Sequence, residues 1–149
     1  MPIIKDIDEL VPIARDKCRE FLKKCDEAGL NVAINETRRS VVTQMIYYLQ
    51  GRLDAASNSK IIDEFNRLRK MTGFWELSRN EALNKKITWT FESKHIDGKA
   101  FDAVPIKDGK PWWNAPEDVW MQMGLIGESV GLIWGGRWTH KDYPHFEIA

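Results

Sequence analysis

Three things are missing from this 149-residue chain: an excess of charge of one sign, a long apolar run and a cysteine framework. Lysine plus arginine (22) equal aspartate plus glutamate (22), so no overall field recruits the phosphates of nucleic acid or an anionic membrane. The local basic clusters, Arg67-Leu68-Arg69-Lys70 and Lys85-Lys86, read as the solvated faces of ordinary elements. No apolar stretch reaches bilayer length, and Met1-Pro2-Ile3-Ile4-Lys5-Asp6 runs into a charged amphipathic pattern instead of a secretory signal. The expectation is a product made in the cytoplasm, without membrane insertion. The two cysteines, Cys18 and Cys25, fall on one expected helix about 10 Å apart along its axis, too far for a disulfide. They are expected to be reduced core residues. There is no internal repeat, low-complexity tract or interdomain linker.

What is present is enough for one domain. A hydrophobic share of 43%, with seven tryptophans, supplies a single core at this length, and residues 1–149 are expected to form one unit. Leu10, Val11, Ala14, Cys18, Phe21, Leu22 and Cys25 recur at helical spacing, with Asp6 and Glu9 as a capping box and Gly29 as the stop. Leu30 to Ile34 reads as a buried strand, and Ser40 precedes a second helix through Met45, Ile46 and Leu49 that ends near Gly51. Ser59 with Ile62, Phe65 and Leu68 suggests a third helix, followed by a loop-like stretch from Gly73 to Asn84. Ile87, Trp89 and Phe91 alternate with Thr88 and Thr90 as a strand, Asp97-Gly98 marks a hairpin turn and Phe101 to Pro105 the returning strand. Asn114, Pro116 and Glu117 open a last helix that Gly131 closes. Ile133-Trp134, a Gly135-Gly136 turn and Phe146 to Ile148 complete the pattern.

Two short stretches carry chemistry. On the expected hairpin, His95 leads into the turn and Asp102 lies on the returning strand, so the two close up in space. Gly98 supplies the positive φ of the turn, and Ala100 shares a strand face with Asp102. Pro144 keeps Tyr143 extended, which makes Asp142-Tyr143-Pro144-His145 a strand entry. Two imidazoles and a carboxylate are a ligand set zinc uses when a position is left for water. Asp142 is the candidate base for that water, and Arg39 is the candidate for stabilising the oxyanion of a carbonyl under attack. Glu147 alternates onto the strand face of His145 and is either its partner or a surface glutamate. His140 is left as an ordinary histidine. Most tryptophans are assigned to core packing, Trp138 alone to the neighbourhood of the cleft.

Ser93-x-His95-x-x-Gly98-x-Ala100-x-Asp102, with Trp134-Gly135-Gly136-x-Trp138 and Asp142-x-x-His145-Phe146-Glu147, resembles the zinc peptidoglycan peptidases. These include D-Ala-D-Ala dipeptidases and carboxypeptidases and L-alanyl-D-glutamate endopeptidases. Arg39-Ser40-x-x-x-Gln44 and Gln50-Gly51-Arg52 are similar to the stretch where that family places a substrate-side arginine. The resemblance is nearest to short bacteriophage endolysins of the L-alanyl-D-glutamate type, which tend to carry aspartate, as at Asp142, where other branches carry glutamate. It implies Zn²⁺ held by His95, Asp102 and His145, Asp142 as general base, Arg39 polarising the scissile carbonyl, and Ser93 and Gln44 lining the cleft. Arg38 competes with Arg39, because the glycine-aromatic pair that usually precedes the arginine is replaced by Thr37-Arg38. The implied fold is α+β, a small antiparallel sheet carrying the zinc site with helices on one face. The implied function is hydrolysis of the peptide stem of peptidoglycan by a monomer with no separate wall-binding domain, acting at the wall after release from the cytoplasm. The alternatives are a D-Ala-D-Ala carboxypeptidase or dipeptidase, and a zinc-stabilised binding module of the kind seen in the related-looking Hedgehog signalling domain.

Overall fold

The computed structural model describes residues 3–53, 59–90 and 92–149, and they fall into two compact units, one of residues 39–96 and one of residues 3–38 with 97–149. The larger unit holds an antiparallel sheet in the order β1-β2-β5-β4, formed by Val32–Glu36 (β1), Ala100–Lys107 (β2), His145–Glu147 (β5) and Ile133–Trp134 (β4). A short strand β3, Lys110–Pro111, pairs with β2 across Asp108-Gly109, both at positive φ. That hairpin has the Asp-Gly turn chemistry its twist requires. The helices of this unit are α1, Pro12–Glu27, and α5, Glu117–Ser129. The architecture is α+β, as expected.

Period-two alternation decides what each strand offers to either side. In the β2–β5 ladder Ala100 faces Glu147, Phe101 faces Phe146 and Asp102 faces His145. Phe101 and Phe146 therefore share one face, and both are fully buried against Phe21 of α1, with ring centroids 4.7 to 5.7 Å apart. Each such ring is worth about 1.5–3 kcal/mol of burial. Asp102 and His145 belong to the other face. Cys18 and Cys25 are free and buried in the same core, their thiols pushed up to about 12 by burial.

Helix starts depart from the sequence reading in one respect. Asp6 caps a short 3-10 turn, Ile7–Glu9, and α1 begins later at Pro12, whose missing N–H suits a first helical position. Gly29 ends it at φ +77°.

The smaller unit contains α2, Val41–Leu49, with Ser40 accepting from Thr43 N as the expected cap, α3, Ser59–Met71, and α4, Arg79–Asn84. The last replaces part of the expected loop: Ser78 and Glu81 form a capping box too short to leave an apolar stripe. A core of Ile46, Ile62, Phe65, Phe74, Leu77 and Ala82 holds the unit together. Arg69 is buried within it, donating from Nε to Trp75 O at 2.9 Å with the Phe74 and Trp75 rings beside its guanidinium. The strand expected from Ile87 is not formed: residues 87–90 are irregular, and Ile87 and Trp89 are exposed. Phe91, assigned to the same strand, lies outside the described residues. His95 therefore sits on a turn, residues 94–98, rather than on a hairpin.

Truncating the ring where α1 meets the sheet tests this packing. Phe21→Ala is expected to cost about 3–5 kcal/mol in urea unfolding, whereas Ile13→Ala, at an exposed site of the same helix, should stay within about 0.5 kcal/mol. Equal, small losses would contradict the assignment of the core.

Candidate metal centre

The ladder pairing of β2 with β5 sets Asp102 beside His145. His145 Nδ1 lies 3.5 Å from Asp102 Oδ1 and 3.9 Å from Asp142 Oδ2, and its other nitrogen, Nε2, is 2.9 Å from Glu147 Oε1. The imidazole is buried, the Asp102 and Glu147 side chains are mostly so, and Asp142 is half-exposed. The Trp138 ring covers the imidazole, centroids 4.9 Å apart, while keeping an exposed edge.

Asp142 reaches this place through a tight backbone return. Its N–H donates to Gly135 O at 3.0 Å, and its own carbonyl accepts from His145 N at 3.2 Å. A Cβ on Gly135 would lie 2.5 Å from Asp142 O and 3.1 Å from His145 Cβ, so only glycine allows the approach. The glycine pair expected to make a turn instead opens a 3-10 helix, Gly135–Arg137, and its first residue is the floor beside Asp142.

His95 is fixed by its own turn. Gly98 takes φ +69°, and Ser93 Oγ accepts from His95 N at 3.3 Å while Ser93 O accepts from Ile96 N at 3.0 Å. His95 is buried, and its carbonyl accepts from Arg39 N at 2.9 Å. His95, Asp102 and His145 each offer one donor atom, and these three atoms lie within 4.8 Å of one another. Two imidazole nitrogens and a carboxylate oxygen so grouped fit a zinc ion with a coordination position to spare.

The remaining candidates divide. Arg39 is buried, its guanidinium 4.7 Å from the centre of the Tyr47 ring and donating from Nη1 to Gln44 Oε1 at 2.8 Å. Gln44, expected to line the cleft, has no exposed surface and spends its Nε2 on Thr90 O at 2.8 Å. Arg38 is tied to Glu9 in a half-exposed ion pair at 3.0 Å. His140 is exposed. Sequence reasoning missed Glu36, a buried carboxylate paired across the sheet with Asp102 beyond a bulge in β1; an acidic residue closing an apolar run was the available signal.

Burial works against a charged His145, but hydrogen bonds to Asp102 and Glu147 and the charges of Asp102 and Asp142 outweigh it, raising the imidazole from 6.5 to about 9. In the metal-free protein this contribution to stability is fully present below about pH 6.5 and is lost as the pH rises through 9. A cation must displace the proton. Thermal unfolding with chelator should therefore show a midpoint falling between pH 7 and 9.5, and apparent zinc affinity should rise about tenfold per pH unit up to 9. A zinc affinity flat from pH 6.5 to 9 would contradict this charge arrangement.

Residues 86–148 match the family described as D-alanyl-D-alanine carboxypeptidase. The chain is 28% identical over 152 residues, 99% of its length and 77% of the relative's, to the peptidoglycan L-alanyl-D-glutamate endopeptidase CwlK of Bacillus subtilis (strain 168). Among solved structures its fold is similar to the L-Ala D-Glu endopeptidase ChiX of Serratia marcescens, with a TM-score of 0.59 at 20% identity, covering 97% of this chain and 84% of that one. It is also similar to VanYB in complex with D-alanine-D-alanine, with a TM-score of 0.56 at 14% identity over 93% of this chain and 71% of that one. Residues 86–148 are thus similar in sequence to the family described as D-alanyl-D-alanine carboxypeptidase, and the fold resembles those of the two solved peptidases over almost the whole chain.

Proposed function

We propose that the protein is a zinc-dependent peptidoglycan hydrolase that cleaves the peptide stem between L-alanine and D-glutamate. The observation that carries this reading is the grouping of His95, Asp102 and His145 with Asp142 beside it. In this reading His95, Asp102 and His145 hold Zn²⁺, which when bound lowers the pKa of a water to about 7 and polarises the carbonyl. Asp142, half-exposed and 3.9 Å from the His145 ring, accepts the proton of the attacking water and returns it to the amine as the C–N bond breaks. Arg39 steadies the oxygen that gains charge, Gln44 holds its guanidinium, and Ser93 and Trp138 border the substrate. Residues 1–149 serve one catalytic function in a monomer, and the cellular role is that of a phage lysin acting at the wall of its host. No helix among the described residues is long and apolar enough to cross a membrane.

The endopeptidase specificity is supported by the similarity of 99% of this chain to 77% of CwlK, described as an L-alanyl-D-glutamate endopeptidase. A second reading, removal of terminal D-alanine, is supported by the carboxypeptidase description of the family matching residues 86–148. Mass spectrometry of purified peptidoglycan separates them: new N-terminal D-glutamate marks the endopeptidase, and loss of terminal D-alanine the carboxypeptidase. In the same assay Asp142→Ala is expected to retain one zinc per chain and lose at least about a hundredfold in turnover, whereas His145→Ala loses both. Full activity in Asp142→Ala would remove it from the mechanism.

A further inference from the structure

His145 and Glu147 lie two residues apart on β5, on the same sheet face, with Nε2 and Oε1 2.9 Å apart. The Glu147 side chain is only 12% exposed, and its neighbour across the ladder is Ala100, which has no exposed surface. Carboxylates face both nitrogens, but Glu147 Oε1 stands at 2.9 Å from Nε2 against 3.5 Å for Asp102 Oδ1 from Nδ1, so the neutral ring favours the tautomer with the proton on Nε2 and the lone pair on Nδ1. Nδ1 is the nitrogen facing Asp102 and Asp142.

We infer that Glu147 is a positioning residue that fixes His145 in the Nε2–H tautomer and so makes Nδ1 the metal-ligating nitrogen. This rests on the zinc reading above and adds what that reading leaves open, namely which nitrogen binds and what orients it. Three features of the fold enforce the role. The strand alternation brings Glu147 to the imidazole without a turn, the small Ala100 leaves room opposite it, and the Trp138 ring packs on the imidazole to resist rotation. A carboxylate accepting the distal N–H also makes the other nitrogen more basic, and loss of such a partner typically weakens metal binding by about 10–100-fold.

The test compares zinc affinity, by competition with a chromophoric chelator, for wild type, Glu147→Gln and Glu147→Ala, together with long-range ¹H–¹⁵N spectra of the zinc-loaded wild type. Glu147→Ala should bind zinc about 10–100-fold more weakly. Glu147→Gln, near-isosteric and still able to accept the N–H through Oε1, should lose less than Glu147→Ala; it also guards against reading misfolding as lost affinity. The His145 spectrum should show Nδ1 on the metal and a protonated Nε2. Unchanged affinity in Glu147→Ala, or zinc on Nε2 in the wild type, overturns the positioning role while leaving the zinc reading standing. A wild type that binds no zinc overturns both.

Discussion

Asp102 and His145 meet because β2 and β5 pair in one register, with Phe101 opposite Phe146 one step along the ladder. The two pairs are coupled by the pleat: a slip of β5 by one residue would carry Phe146 out of the core and His145 into it, away from Asp102. The apolar burial of Phe21, Phe101 and Phe146 thus holds a polar constellation that could not hold itself, since buried charged groups gather only where other interactions offset their desolvation. Stability on one face of the sheet and chemistry on the other are consequences of the same register.

Around that ladder the polar groups are arranged by backbone, not by side-chain reach. The return from Gly135 through Asp142 to His145 is a run of main-chain hydrogen bonds, and it places a half-exposed carboxylate beside a buried imidazole. His95 is likewise set by its own turn and by the Ser93 hydroxyl. The imidazole of His145 is gripped from both nitrogens by carboxylates, which explains why it holds a proton so firmly without a metal and why a cation would compete at the same place.

Legibility from sequence followed how local the cause was. Ser40, Pro116, Gly29 and Gly98 mark boundaries through their own dihedral or capping preferences, and the structure uses them so. The grouping of His95, Asp102 and His145 was legible because turn and strand-entry residues lie at fixed offsets from these side chains. The alternation of Ile87 and Trp89 misled because alternation makes a strand only when a partner supplies a ladder, and here both side chains face solvent. Helix α4 was hidden by its six-residue length. The burial of Gln44 under Arg39 and the approach of Gly135 to Asp142 depend on contacts distant in sequence, which no local pattern encodes.

The central claim is that His95, Asp102 and His145 enclose one divalent cation. Anomalous diffraction at the zinc edge from crystals of the zinc-loaded protein measures this directly. The account requires a single strong peak about 2.0–2.2 Å from a nitrogen of each histidine and an oxygen of Asp102; a peak elsewhere, or one from which any of the three side chains turns away, would contradict it.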